Sequence, residues 1–207
     1  MNHQLHHHRA HPWHGLSIGD QAPHIVNCYV EMVPTDAVKY ELDKATGLLK
    51  IERPQQYSSL CPTLYGFLPK TYSGKKTADY CMKKTGLKNI LGDGDPIDIA
   101  ILSEKTIPRG DIILRAIPIG GFRMIDRNEA DDKILGVLVD DLVYGKVKDI
   151  SECPEQLIER LSHYFLTYKD YPGRTDNKVR ITDIFGWEEA QKLIEIGLQD
   201  YQDAFLA

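Results

Sequence analysis

Residues 92–102 read GDGDPIDIAIL, with Asp93, Asp95 and Asp98 packed into six positions. Gly94 and Pro96 make the first half a turn. Asp98 then opens an apolar run, Ile99-Ala100-Ile101-Leu102, that reads as a buried strand. A carboxylate at the mouth of such a strand is costly unless it is paired or liganded. If three carboxylates converge without a cation, each like-charge pair at ~4 Å costs on the order of 4 kcal/mol at an effective dielectric near 20. A hard divalent cation that accepts oxygen ligands removes that cost. The spacing does not suit a calcium EF-hand, which needs Asp or Asn at the fifth loop position and Gly at the sixth. Here those positions hold Ile97 and Asp98.

Outward from this stretch the chain is mostly β. NCYVEMV (27–33) is a strand candidate that carries Glu31. VKYELD and LLKIER, joined by the glycine-containing link 44–47, read as a hairpin. Val38, Tyr40 and Leu42 fall on one face of its first strand. Lys39, Glu41 and Asp43 fall on the other, which reads as a solvent face. PTLYGFLP (62–69), DIILRAIPIGGFRMID (111–126) and KILGVLVD (133–140) supply further strands, the second of them broken into one or two pieces by Pro118 and Gly120-Gly121. Five to seven strands with short turns and no long helix among them predict a sandwich or a small closed barrel. Residues 71–91, rich in Lys and without clean periodicity, read as a solvated excursion. Two amphipathic helices follow. One starts at Pro154 with Leu157, Leu161, Tyr164, Phe165 and Tyr168 in its stripe. The other follows Trp187 with Ala190, Leu193, Ile194, Leu198, Tyr201 and Phe205.

The 207 residues suit one domain, residues 27–207, preceded by an irregular His-rich arm over 1–26. His6, His7 and His8 in the arm are a weak transition-metal candidate. Twenty-five Lys plus Arg against 30 Asp plus Glu give a net charge of −5, which argues against nucleic acid or an anionic membrane as partner. An anionic small substrate remains compatible, because metal ions invert the sign of a local acidic site. No run reaches the ~20 apolar residues of a spanning helix, and no export signal is visible, so the expected location is cytoplasmic. The four cysteines are widely spaced and read as reduced structural thiols.

A second acidic cluster, Asp126-Arg127-Asn128-Glu129-Ala130-Asp131-Asp132-Lys133, lies between two strand candidates. By itself it is a polar loop. If the barrel sets it beside 93–98, the two turns together can hold several divalent cations suited to in-line displacement at phosphorus. Such a site needs donors for phosphate oxygens. Lys39, Arg53, Tyr65, Lys133, Tyr168 and Lys169 are the candidates, Arg53 offering a planar fork.

These motifs, in this order, resemble the soluble family I inorganic pyrophosphatases. DGDPID is similar to the family signature. KYELD (39–43), ERP (52–54), LYGFLP (64–69), the Asp126–Lys133 spacing and HYFLTYK (163–169) are similar to its other motifs. The resemblance spans about residues 27–170. It implies an OB-like five-stranded closed β-barrel with two flanking helices. It also implies Mg²⁺-dependent hydrolysis of pyrophosphate to two phosphates by direct attack of a metal-bound water or hydroxide, with several Mg²⁺ ions per site that Mn²⁺ or Co²⁺ replace. Under it, Asp93, Asp98 and Asp131 hold the tightest metals and Asp95 is the general base. Glu31 and Asp126 help hold the substrate-side metals, and Glu41 stands behind the ligands. Lys39, Arg53, Tyr65, Lys133, Tyr168 and Lys169 bind pyrophosphate or the leaving phosphate. The chain departs from the family at Cys61, where a Tyr is usual, at Arg127, where an acid is common, and in the 71–91 excursion. The resemblance also implies a homo-oligomer. Two other readings are a metal-dependent hydrolase of nucleotides or polyphosphate, and an OB-type nucleic-acid-binding module. The second of these needs basic residues interleaved with aromatics, which the acidic mouth does not supply.

Overall fold

The computed structural model describes residues 9–55, 58–169 and 179–206; His6, His7 and His8 lie outside them. The described chain is mainly β with three helices. The strands are β1 (Val26–Met32), β2 (Val38–Leu42), β3 (Leu49–Pro54), β4 (Leu64–Phe67), β5 (Leu91–Gly92), β6 (Asp98–Leu102), β7 (Ile112–Asp126), β8 (Glu129–Ala130), β9 (Lys133–Leu138) and β10 (Val179–Gly186). The helices are α1 (Lys75–Thr85), α2 (Glu155–Thr167) and α3 (Trp187–Phe205).

β1 pairs antiparallel with both β4 and β7, β4 with β6, and β7 with β9, while β6 and β9 run parallel. β10 adds to the far half of β7. β2 and β3 form a separate hairpin, as the glycine-containing link predicts. β7 is one 15-residue strand, not two. Its register slips between Pro118 and Gly120, so the proline and the φ +155° glycine bend the strand without ending it. That bend lets its first half pair with β1 and its second half with β10.

The inner faces are filled by two apolar clusters. One joins Val26, Val30, Ile99, Ile101 and Ile134 to Leu193 and Ile194 of α3. The other joins Ile119, Phe122, Leu135 and Val137 to Leu161 and Phe165 of α2. Both helix stripes therefore face the core, as their spacing predicts. All four cysteines are free and buried. Among the described residues, no helix is long and apolar enough to cross a membrane.

The excursion departs from the expectation of a solvated segment without clean periodicity. Residues 75–85 are helical, with Thr77, Ala78 and Cys81 buried, so three helices stand where two are expected. The reason lies far away in sequence. Gly74 offers no side-chain cap. Asp200 of α3, itself buried, accepts hydrogen bonds from the backbone N–H groups of Gly74 (3.1 Å), Lys76 (2.9 Å) and Thr77 (2.8 Å), and from Thr77 Oγ1 (2.9 Å). The cap and the negative charge that a helix N-terminus needs come from another helix. β10 is likewise absent from the sequence reading. Its Val-Arg-Ile-Thr-Asp-Ile-Phe alternation fits an edge strand with a wet face.

Residues 9–25 contain turns but no helix or strand. The segment is nonetheless anchored: Trp13 is 3% exposed and packs with Tyr72, Tyr201 and Phe205. Arg9 ion-pairs with Asp111, immediately before β7.

Replacing Asp200 with Ala removes four hydrogen bonds from the start of α1. The expected loss is roughly 2 kcal/mol of stability, read as a lower urea midpoint. Amide exchange should speed up in α1 before it does in α2. A midpoint equal to that of the unaltered protein would contradict the capping account.

Candidate active site

One cavity on the face between β1, the β2–β3 hairpin and the end of α2 gathers most of the predicted residues. Glu31, Lys39, Glu41, Tyr65, Asp93, Asp95, Asp98, Asp131, Lys133, Tyr168 and Lys169 all line it. The strand register explains the convergence. Parallel pairing of β6 with β9 sets Asp98 directly opposite Lys133 at the start of both strands. The short parallel pair β5–β8 sets Leu91 opposite Glu129, which draws the 126–132 loop beside the 93–98 turn. Asp131 of that loop therefore lines the same cavity as Asp93, Asp95 and Asp98.

The turn itself is held by backbone bonds. Asp95 N–H donates to Asp93 Oδ1 (2.9 Å), Gly94 takes φ +78°, and Ser73 exchanges backbone hydrogen bonds with Gly94 and Asp95. Ile97 N–H donates to Thr71 Oγ1 at 2.9 Å. The segment at the foot of α1 thus braces the acidic turn.

Lys133 lies at the centre. It is 2% exposed and its ammonium ion-pairs with both Asp98 and Asp131. Tyr65 Oη donates to Asp98 Oδ2 at 2.7 Å. Burial alone would lower the Lys133 pKa, but Asp131 and Asp98 outweigh it and hold the ammonium well above its usual value. The Tyr65 phenol is pushed well up, first by burial and then by Asp98.

Lys133 does not balance all of the acids. Burial, then the Asp131 charge, pushes the Asp93 carboxyl up to about 8. Burial, then Asp98, pushes Glu31 up to about 8, although Leu42 N–H donates to its Oε1 at 2.7 Å. Asp95 is raised by burial against the opposing effect of Lys44. Lys39 and Glu41, expected on a solvent face, point at the cavity instead and meet at 3.1 Å.

Two predicted residues stand off the wall. Asp126 reaches the site through Lys169, 2.5 Å away. Arg53 lies over the Tyr168 ring, 5.5 Å from its centre, and pairs with Glu52. Sequence reasoning missed Trp13, Lys44 and Tyr164, which also line the cavity. It also missed a buried brace behind Asp131. There Arg123, fully buried between the Tyr80 and Phe185 rings, pairs with Asp132 (3.3 Å) and with Glu189 of α3 (2.9 Å). Asp132 also accepts from Met124 N–H at 3.0 Å, which fixes the loop carrying Asp131. An Arg within the apolar half-strand 119–125, with an unexplained second Asp after Asp131, is the signal that could have found it.

The donor set tests the implied metal. Among the described residues, no three acidic, His or Cys side chains already form a ligand cage. The oxygens that meet in the cavity are nevertheless hard carboxylates, without a thiol or imidazole, and at least two are held toward their neutral forms by burial and then by neighbouring carboxylates. That chemistry fits Mg²⁺-like cations and disfavours softer ones.

Folded Asp93 and Glu31 bind protons near neutrality, whereas their unfolded counterparts titrate near 4. Without divalent cations the folded state therefore holds more protons, and its stability falls as pH rises from about 4 through about 8. Urea unfolding in a chelator at about pH 5.5 and about pH 8 should show that loss, with a smaller loss in Asp93→Asn. Equal slopes in the two proteins would refute the assignment.

A profile of the family described as "Inorganic pyrophosphatase" matches residues 28–202. The chain is 49% identical over 201 residues to the inorganic pyrophosphatase of Chlamydia trachomatis, covering 95% of this chain and 96% of that protein. It is 50% identical over 199 residues to the one from Chlamydia caviae, covering 94% and 92%. The crystal structure of inorganic pyrophosphatase from Thermus thermophilus superposes with a TM-score of 0.78 at 25% identity, covering 93% of this chain and 99% of that one. The acidic cavity thus sits within a chain that, by profile and by identity across nearly its whole length, belongs to the inorganic pyrophosphatase family.

Proposed function

We infer that the chain hydrolyses inorganic pyrophosphate to two phosphates, with Mg²⁺ as the natural cation. The observation that carries the reading is the cavity in which Asp93, Asp95, Asp98 and Asp131 face Lys39, Lys133, Lys169, Tyr65 and Tyr168. A small anion rich in oxygens complements the lysines and phenols, and divalent cations complement the carboxylates. The ring of strand pairings β1–β4–β6–β9–β7–β1 supports reading the scaffold as an OB-like five-stranded barrel within one domain over 27–207, against which Trp13 of the preceding segment packs.

Asp93, Asp98 and Asp131 would hold the tightest cations, with Glu31 and Asp126 toward the substrate and Glu41 behind them. When bound, such ions acidify water and neutralise charge that builds on phosphate oxygens. Asp95 accepts the proton of the attacking water. Lys39, Lys133, Lys169 and Arg53 bind and neutralise the phosphoryl oxygens, the planar guanidinium reaching over the Tyr168 ring. Tyr168 donates a phenolic hydrogen bond to the leaving phosphate, and Tyr65 does so once cation binding at Asp98 frees its single O–H from that carboxylate. The walls of Met32, Leu42, Phe67 and Phe165 limit water around these charges and so strengthen each contact. A cavity bearing this many acids repels a nucleic-acid backbone, which disfavours the binding-module reading.

Phosphate release from pyrophosphate with Mg²⁺ tests the reading, with Mn²⁺ and Co²⁺ as substitutes and ATP and polyphosphate as competitors. The expected preference is for pyrophosphate, and Asp95→Asn is expected to lose ~10²-fold or more in rate, the scale of general-base loss. Inactivity with all three cations would refute it. Faster turnover of ATP than of pyrophosphate would move the substrate to nucleotides.

Self-association is part of the same proposal. Leu142 and Val143, 80% and 57% exposed on the turn after β9, support it. Light scattering is expected to give a mass of several chains, and a monomer would reject it.

A further inference from the structure

We propose that the N-terminal segment is a working part of the active site: His11 and Trp13 clamp the β2–β3 turn so that Lys44 holds the Asp95 carboxylate in its catalytic orientation. The proposal rests on Asp95 being the base. His11 and Trp13 lie outside the residues matched by the family profile, and Lys44 has no role in the motifs beyond the hairpin link.

The Lys44 ammonium ion-pairs with Asp95 and lies 3.4 Å from the carbonyl oxygen of Gly94 in the same turn. It stands 6.0 Å from the centre of the Trp13 ring, within the range at which an indole face attracts a cation. The Lys44 and Asp95 side chains are each about half exposed, at 49% and 46%. A free surface pair of this kind is weak and mobile. This one is held from behind.

Trp13 is itself fixed. Its indole N–H donates to the Thr71 carbonyl at 2.8 Å, and Lys70 N–H donates to the Trp13 carbonyl at 3.0 Å. Thr71 is the residue whose hydroxyl accepts from Ile97, so the clamp and the acidic turn share one anchor. His11 grips the hairpin turn directly. Its Nδ1 accepts from the backbone N–H groups of Trp13 and His14, which leaves Nε2 as the donor to the Lys44 carbonyl, 3.1 Å away. Gly47, at φ +71°, makes this approach feasible: a Cβ there would lie 2.8 Å from the His11 ring. The ring therefore sits against the turn where only glycine leaves room.

Lys44 is on this account a positioning residue, acting through Asp95 rather than on substrate. Misorienting a catalytic group by about an ångström costs up to ~10²-fold. Lys44→Met is expected to lower kcat roughly 10- to 100-fold with KM for pyrophosphate nearly unchanged. Lys44→Arg should recover much of the loss, and Trp13→Phe should show a smaller loss of the same kind. In an Asp95→Asn background, Lys44→Met should cost nothing further, because the residue it positions is gone.

A second readout does not depend on turnover. With Trp187, at the start of α3, changed to Phe, Trp13 becomes the sole tryptophan. Its emission maximum should shift in Lys44→Met, which removes the cation from the indole face. Unchanged emission in Lys44→Met would overturn the clamp. So would equal rate losses from Lys44→Met in both backgrounds, an unchanged kcat, or a raised KM at constant kcat. A protein that releases no phosphate while its Trp13 emission still responds would refute the hydrolase reading and with it the kinetic role of Lys44, leaving the contact itself intact.

Discussion

The structure turns on an ammonium buried between carboxylates. Lys133 is almost wholly excluded from water, and only its ion pairs with Asp98 and Asp131 make a charged lysine tolerable there. Three elements must meet for those pairs to form: the head of β6, the head of β9 and the loop between β8 and β9. The parallel register that sets Asp98 against Lys133 is therefore both a packing fact and an electrostatic one. A one-residue slip in either strand would turn one partner into the core and leave the other unpaired.

The remaining acids of the cavity show what one lysine does not balance. Asp93 and Glu31 are held toward their neutral forms by burial and by neighbouring carboxylates. A protein free to optimise stability alone would separate these groups or replace them with apolar residues. The scaffold keeps them together with considerable bracing: Arg123 and Glu189 behind Asp132, Ser73 and Thr71 beneath the turn, Asp200 capping the helix that begins beside it. Concentrating repulsion in one braced cavity is the arrangement expected of a site tuned for cations and a polyanion.

The bracing also gives the excursion and the N-terminal segment a place in the chemistry. The stretch between β4 and β5 is the floor under the acidic turn, and α1 docks on α3 through a cap donated from α3 itself. Residues 9–25 contain no regular element, yet Trp13 is among the better-buried aromatics and reaches the cavity wall. Order there comes from side-chain anchors rather than from a backbone ladder.

Much was legible in the residues themselves. The acidic turn before an apolar strand, the hairpin with its glycine link, and the 3.6-residue stripes of α2 and α3 are local signals, so they survive without knowledge of the fold. The carboxylates, lysines and tyrosines of the site were named from motif order, and most of them line one cavity. What the sequence did not reveal depends on contacts between residues far apart. Helix α1 has no cap of its own, because the capping charge lies 123 to 126 positions away. β7 stays continuous through Pro118 because the bend is stabilised by its partners on both sides. Lys39 and Glu41 alternate like a solvent face, and only the packing of the hairpin over β1 turns them toward the cavity. Lys44 and Trp13 carry no motif at all. Residue types and short-range periodicity determined which chemistry the chain can perform. Burial, register and charge pairing, which are properties of the assembled structure, decided which groups meet to perform it.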